Sequence, residues 1–413
     1  MATVIIGAGI VGVTTAYYMA ENNHDAKQDI HLVETTPTLF ASASGYAGGF
    51  MARDWMAPDS ASLAALSFDQ HAALAAQHDG ERRWGYALST ALSYGLPGGA
   101  KEGQRGEDWL RQGTSRSTAA PAVEGGSKKS VPSWLNRTKG DRVEVLADDG
   151  TAGQVEPEPF CQYLLDQSLK KGVRLHQPAT VVGVQKDDSG KLASITIEEN
   201  GTQTVLACTR LVITAGAWTP RVYSQLFPEA AARRPLPVHN YAGHSLVVKP
   251  SQKRAEVTDR FALFAAGGSM QYCPEIFGRA NGTLYLAGLN SSTIPLPATA
   301  ADSVPSQDQL DDLLKTCKRI LGEDDDDKVE VVRTGLCHRP ATPWGAPLLL
   351  RLLDGKLAET STDESIVSGD GGVFASAGHG PWGISMGPGT GMVLAELVQG
   401  RPLSADIKGL GFH

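Results

Sequence analysis

Gly7-Ala8-Gly9-Ile10-Val11-Gly12 is the stretch whose residue types and spacing point most directly to chemistry. It follows a β-branched run, Val4 to Ile6, and leads into the helix-forming stretch Val13 to Ala20, so the reading is strand, turn, helix. In that setting the first glycine permits a tight turn, the second lets a pyrophosphate approach the backbone, and the third lets helix and strand pack closely. Phosphate charge then sits on the helix N-terminus. A second strand, Ile30 to Val33, ends in Glu34, 22 residues beyond Gly12. A carboxylate there accepts hydrogen bonds from an adenosine ribose and repels a 2′-phosphate, which leaves FAD or NAD as the ligand and disfavours NADP.

The rest of the chain must position that site. It has 413 residues, 41% of them hydrophobic and 20% charged, and no apolar run of eighteen, so no membrane span is expected. The length fits two domains, or one large fold with a second lobe. A net charge of −8 argues against nucleic acid and anionic membranes as partners. Cys161, Cys208, Cys273, Cys317 and Cys337 show no CxxC pair, which fits reduced thiols and a cytoplasmic setting. Thr3 to Ile6 runs straight into the glycine loop, so no export signal is expected. The acidic run Glu323 to Lys328 reads as a solvated loop, and no metal site is expected.

Alanine, leucine and glutamine dominate Ser60 to Gln77, a predicted helix, whereas Gly98 to Ser133 is rich in Gly, Ser, Lys and Pro and reads as a loop-rich insert. Glu158 to Lys171 is a predicted amphipathic helix. Strands are expected over Val173 to Val184, Leu192 to Ile197, and Leu211 onward. Alternating runs between Pro235 and Leu289 suggest an antiparallel sheet of a second lobe. A helix over Ser306 to Leu321, strands over Val329 to Arg333 and Gly372 to Ala377, and a helix over Thr390 to Val398 complete the reading. The expected fold class is α/β, with a Rossmann-like dinucleotide-binding domain, FAD-binding if the resemblance given next holds, and an α+β substrate domain built on a mainly antiparallel sheet. The expected division is 1–53, 152–234 and 329–413 for the first, and 54–151 and 235–328 for the second, with the insert at about 98–133.

Four separated blocks resemble the D-amino-acid oxidase-like family of FAD-dependent oxidoreductases, whose relatives include glycine oxidase and sarcosine oxidase. The first is the glycine fingerprint with Glu34. The second is Ala43-Ser44-Gly45-Tyr46-Ala47-Gly48, similar to the family's small-residue loop beside the pyrophosphate and flavin. The third is Leu211-Val-Ile-Thr-Ala215-Gly216-Ala217-Trp218, and the fourth is Gly378-His379-Gly380-Pro381-Trp382-Gly383-Ile384 with Gly387-Pro-Gly-Thr-Gly391. Ala61 to Phe68 and Pro274 to Phe277 are most similar to a fungal-type branch. The resemblance implies FAD as cofactor and places Val181 near the adenine. It implies that a helix starting near Pro388 points its positive end at the flavin, where reduction leaves negative charge. His379 is then a donor to flavin or pyrophosphate, or else a loop spacer. Trp382 is either a flavin-side wall or core packing.

Cys337-His-Arg339-Pro-Ala-Thr-Pro-Trp-Gly345 resembles the family segment whose arginine holds a substrate carboxylate, through two parallel bonds from a planar fork. The resemblance therefore implies Arg339 as the substrate anchor, with a structural ion pair as the other reading. Cys337 is similar in position to a cysteine that bonds covalently to flavin in sarcosine oxidase-type members, or is a buried free thiol. Some members carry another arginine in the closing block, where this chain has Pro381-Trp382, so a bulkier or non-carboxylate amine is an alternative substrate. The function so implied is an amine or amino-acid oxidase that moves a hydride from a C–N bond to flavin, giving an imine and, with oxygen as acceptor, hydrogen peroxide. Two alternatives stay open: an FAD-dependent dehydrogenase or tailoring enzyme with another acceptor or a non-amine substrate, and a non-catalytic FAD-stabilised interaction protein.

Overall fold

The computed structural model describes residues 2–23, 28–97, 116, 120, 131–251, 259–267, 272–324, 328–353, 356–357 and 371–412. Most of the insert expected at 98–133, and residues 325–327 of the acidic run, lie outside the described residues.

Two seven-stranded sheets carry the structure. The first runs in the order Lys356–Leu357, Leu348–Leu353, Gly372–Ala377, Arg210–Ile213, Thr3–Ile6, Ile30–Val33, Arg174–His176. Its last five strands are parallel, Leu348–Leu353 runs antiparallel to them, and Lys356–Leu357 pairs antiparallel with Leu348–Leu353. Thr3–Ile6 at its centre is buried along its whole length, as expected of a continuous apolar run covered on both faces. The second sheet runs Glu330–Ala341, His239–Lys249, Leu284–Ser291, Glu275–Gly278, Phe261–Gly267, Thr90–Leu96, Arg142–Ala147. Its pairs are antiparallel except that of Phe261–Gly267 with Thr90–Leu96. This is the parallel layer and mainly antiparallel lobe anticipated from the sequence. One stretch differs: residues from 329 on were expected in the first layer, yet Glu330–Ala341 pairs with His239–Lys249 along eleven residue pairs. Its first half is mostly exposed and its second half mostly buried, as suits an edge strand that runs from the rim of the second sheet into the interior, and the chain crosses to the first sheet only after Ala341.

The parallel layer explains why motifs spread over 370 residues of sequence belong together. Gly7 follows Ile6, Glu34 follows Val33, Thr214 follows Ile213 and Gly378 follows Ala377. All four therefore stand at the carboxyl ends of adjacent parallel strands, where open α/β sheets bind ligands.

Helix Ile10–Glu21 covers this sheet and is buried from Ile10 to Ala20. The C-terminal helix Gly383–Gln399 crosses it at close range, because a Cβ on Gly387 would meet Ile10 at 2.5 Å and one on Gly391 would collide with Thr14. Gly387 and Gly391 are one helical turn apart and so share that face. On the other side Gly389 faces helix Pro58–His78, 2.8 Å from Ser67 Cβ by the same measure. Helix Ile10–Glu21 sits equally close to its own strand: a Cβ on Gly12 would collide with the carbonyl oxygen of Gly7. Alanine at position 12 gains about 1 kcal/mol in helix propensity, but overpacking of about 1–3 kcal/mol opposes it, with a backbone carbonyl as the obstacle. Gly12→Ala is thus expected to lower the urea midpoint, and an unchanged or raised midpoint would show that the helix can move off the strand.

Candidate active site

Backbone geometry forms the first wall of the site. Gly7 holds φ +99, a conformation that suits glycine, and turns the chain from strand to helix. The amide of Ile10, in the first helical turn, donates to Ser44 Oγ at 2.9 Å, so the Ala43–Tyr46 turn is fastened over the helix N-terminus. Glu34 is oriented through both oxygens: Oε2 accepts from the Ala8 amide at 2.9 Å, and Oε1 from the amide and hydroxyl of Thr36, also at 2.9 Å. Each carboxylate oxygen has two acceptor sites, so capacity remains for ligand hydroxyls. Thr214, after the Arg210–Ile213 strand, donates its hydroxyl to Ile6 O at 3.0 Å and closes the floor.

The closing helix begins seven residues before the expected Thr390, at Gly383, and carries Pro388 inside it. Proline has no N–H, so the carbonyl of Ile384, four residues back, loses its helical partner. His71 of helix Pro58–His78 replaces it: Nε2 lies 2.9 Å from Ile384 O, which fixes the proton on Nε2 and leaves Nδ1 a buried atom without a partner among the described residues. Ser67 of the same helix receives the Gly389 amide at 3.0 Å. With the interruption repaired from outside, the helix starts at the cavity and not beyond it.

The second sheet supplies side chains. Register places Cys337 opposite Gly243 and Arg339 opposite Tyr241. Because position 243 has no side chain, the Arg339 guanidinium crosses over the His239–Lys249 strand and donates from Nη1 to Asn290 Oδ1 at 2.7 Å on the Leu284–Ser291 strand. The Tyr285 hydroxyl is also within its hydrogen-bond reach, and burial above all pushes Tyr285 up to about 12, so it stays neutral. Among the described residues no carboxylate forms an ion pair with Arg339. Cys337 is buried and its thiol lies 3.4 Å from Gly243 O. His338 shares an Nδ1 contact of 3.0 Å with Asn240 Oδ1, and Asn240 donates its amide to Ile294 O at 3.0 Å, so the His338 proton resides on Nδ1. His379 reaches Thr390 Oγ1 at 3.1 Å from Nε2.

These walls line a cavity of about 400 Å³ that is partly open to solvent. Of the residues singled out from sequence, Gly7, Gly9, Ile10, Val11, Glu34, Ala43, Ser44, Ala47 and Val181 line it. So do Ala215, Gly216, Trp218, Cys337, Arg339, His379, Gly380, Gly383 and Ile384. Ala8, Gly12, Gly45, Gly48, Gly378 and Trp382 stand behind the lining. Gly45 sits tightly over the Phe40 backbone, Gly48 over Phe277 and Tyr285, and a Cβ on Gly378 would lie 2.6 Å from Thr342 Cγ2. Trp382 turns away from the cavity and packs against Phe50 and Trp55, each at 6.4 Å between ring centroids, although its neighbours Pro381 and Gly383 face inward. Sequence reasoning passed over His338, Phe40, Ser42 and Arg221, which also line the cavity. His338 was legible as the residue between two candidates, but nothing marked Arg221, whose guanidinium binds the carbonyls of Leu296, Pro297 and Ala298.

The arrangement fits a flavin dinucleotide. The Gly7 and Gly9 cradle has room that a Cβ would fill, since one on Gly9 would lie 3.0 Å from Ser44 Oγ, and a helix N-terminus and an oriented acid flank it. The family described as FAD dependent oxidoreductase (DAO) matches residues 2–397. A Schizosaccharomyces pombe protein named as an oxidoreductase is 28% identical, over 98% of this chain and 96% of its own. A D-amino acid dehydrogenase of Methylobacterium nodulans is 25% identical, over 97% of this chain and 96% of its own. The crystal structure of glycine oxidase from Geobacillus kaustophilus superposes with a TM-score of 0.72 at 19% identity, covering 100% of this chain and 98% of that one. Among the described residues no helix is long and apolar enough to cross a membrane.

Burial pulls His71, His338 and His379 each down to about 4 from 6.5. Between those values the unfolded chain binds protons that the folded chain refuses, so stability is complete above pH 6.5 and falls as pH drops toward 4. The urea midpoint is expected to decline across that window. His71→Gln retains a donor for Ile384 O and should flatten the decline by up to one proton; an unaltered slope would place His71 outside the titrating set.

Proposed function

The chain belongs to the FAD-dependent oxidoreductase (DAO) family, and from that premise we propose that it oxidises the C–N bond of a small amine or amino acid whose carboxylate is held by Arg339. Arg339 carries this reading: a half-buried cation lines the cavity with neutral partners alone among the described residues, Asn290 and Tyr285. A guanidinium so placed gains most from an incoming anion, and its fork matches a carboxylate. The names of two similar proteins, a D-amino acid dehydrogenase and a glycine oxidase, support an amino-acid substrate.

When bound, FAD supplies a two-electron acceptor: the substrate's α-hydrogen leaves with its electron pair, an imine results, and passage of the electrons to oxygen yields hydrogen peroxide. The protein's own part is to bind and orient. Gly7, Gly9, Ser44 and Glu34 hold the dinucleotide, and the amides opening helix Gly383–Gln399 favour negative charge in front of them. No lining histidine is charged at neutral pH, since His338 and His379 are pulled down to about 4 by burial. The substrate amine must therefore arrive neutral or lose its proton to solvent, and turnover should rise with pH through the amine's pKa in the complex. We also propose non-covalent FAD, because the Cys337 thiol already has the Gly243 carbonyl as its acceptor, and a cytoplasmic setting, because all five cysteines are unpaired.

Purified protein is expected to be yellow and to release its flavin on acid precipitation; colour retained in the pellet would reinstate a Cys337 link. With amino acids, N-substituted amino acids and matching amines without a carboxylate as substrates, peroxide should form from the first two classes. Arg339→Met should raise KM roughly ten- to hundredfold, equivalent to about 1.5–3 kcal/mol for a lost charged hydrogen bond, with a smaller change in kcat. Equal turnover of the amines lacking a carboxylate would overturn the role of Arg339, and reduction of the flavin by substrate without oxygen uptake would assign another acceptor.

A further inference from the structure

Arg116 is a buried arginine far in sequence from every motif above, yet it packs beside the site. Its Nε and Nη2 donate to Glu275 Oε1 and Oε2 at 2.9 and 2.7 Å, a two-bond ion pair in which both side chains are about nine-tenths buried. The guanidinium also lies over the Trp382 ring, 4.8 Å from its centroid, and 5.9 Å from those of Phe50 and Phe264. A desolvated cation over aromatic faces is held there more firmly than the ion pair alone would hold it.

Glu275 shares a sheet face with Arg339. It pairs with Ala287, Ala287 with Ser245, and Ser245 with Gly335, which makes one lateral row. Side chains at 335, 337 and 339 point the same way along their strand. Arg339 then reaches back across Gly243 to Asn290, so its charged end stands over the strand adjacent to that of Glu275. Glu275 acts electrostatically on both Arg339 and Tyr285. Another buried arginine, Arg279, lies over the Tyr285 ring, 5.5 Å from its centroid, and is pulled down above all by burial and then by Arg333, with Glu156 and Glu158 acting in the opposite sense.

We propose that Arg116 is a positioning residue for substrate binding: by holding Glu275 in a two-bond ion pair it keeps that carboxylate away from Arg339, which remains open to a substrate carboxylate. Without Arg116, Glu275 is a buried anion lacking a cation, and Arg339 is the adjacent cation lacking an anion. Their pairing would fill the anchor from within the protein. Among the described residues Arg116 takes the carboxylate of Glu275, so the positive charge of Arg339 stays available to a ligand.

The inference rests on Arg339 as carboxylate anchor, and the two separate in one experiment. Benzoate serves as probe, with benzamide as its uncharged counterpart, and binding to the FAD-loaded protein is measured by calorimetry. The wild type should bind benzoate in preference to benzamide, and Arg339→Met should remove that preference. Arg116→Ala should weaken benzoate binding tenfold or more with little effect on benzamide, and Arg116→Ala combined with Glu275→Gln should restore it to within threefold of wild type. Glu275→Gln alone should bind benzoate at least as well as wild type. Should Arg116→Ala fail to fold, Arg116→Lys, with a single bond to Glu275, is expected to lie between wild type and the tenfold loss. A double variant as weak as Arg116→Ala, or an Arg116→Lys chain that binds like wild type, overturns the positioning role while leaving the anchor intact. A wild type that does not distinguish the two probes overturns the anchor, and the inference with it.

Discussion

The close crossing of helix Ile10–Glu21 by helix Gly383–Gln399 is the contact on which the other arrangements depend. Thr14 Oγ1 reaches the Gly387 carbonyl at 3.0 Å, and Gly387 and Gly391 leave no side chain between the two helices. Both helices begin at the cavity, one just after Gly9 and the other at Gly383, so their N-terminal amides converge on the same space. If the crossing were wider by one methyl group, the second N-terminus would withdraw and its dipole field in the cavity would weaken, since that field acts only within the first turn. The Pro388 interruption belongs to the same constraint: it breaks the ladder where helix Pro58–His78 can repair it with His71 and Ser67, binding a third helix to the pair.

The two sheets divide the chemistry. The parallel sheet offers backbone, with amides, glycines and one oriented acid, which suits a large ligand held along its length. The antiparallel sheet offers side chains that stand perpendicular to it at fixed register, which suits a small ligand that must be oriented at one carbon. Cys337, His338 and Arg339 lie on the second sheet's edge strand just before the chain returns to the first sheet, so the cavity is shared between the layers. Gly243 is essential to that sharing, because its missing side chain is the path by which Arg339 reaches Asn290.

Charge is rationed throughout the site. Three buried histidines are neutral at working pH, Tyr285 is neutral, and Glu275 is satisfied by Arg116. Of the charged side chains lining the cavity, Glu34 is turned to the backbone of the glycine loop and Arg221 to the carbonyls of Leu296, Pro297 and Ala298, whereas Arg339 meets only the neutral Asn290 and Tyr285 among the described residues, and a cation so placed favours an anionic ligand at low dielectric.

The amino-acid sequence by itself determined the strand, turn and helix at the N-terminus, the acid at the end of the second strand, and the change from parallel to antiparallel texture near residue 235. These follow from local rules: glycine spacing, β-branched runs and alternation act over a few residues and need no partner to be read. Arg339 and Cys337 were singled out only through the resemblance of a compact segment to a family, and both line the cavity. The tertiary structure alone decided which face each residue presents. Trp382 sits between two cavity-lining residues, yet its ring is turned into the core by Phe50 and Trp55. Local rules likewise put the closing helix near Pro388, since proline reads as a helix start, whereas a histidine more than three hundred residues away lets the helix run through it. The ion pair of Arg116 with Glu275 spans 159 residues and has no periodicity or motif to announce it. Pairings of that kind are selected by desolvation, which is a property of the packed chain and not of any segment of it.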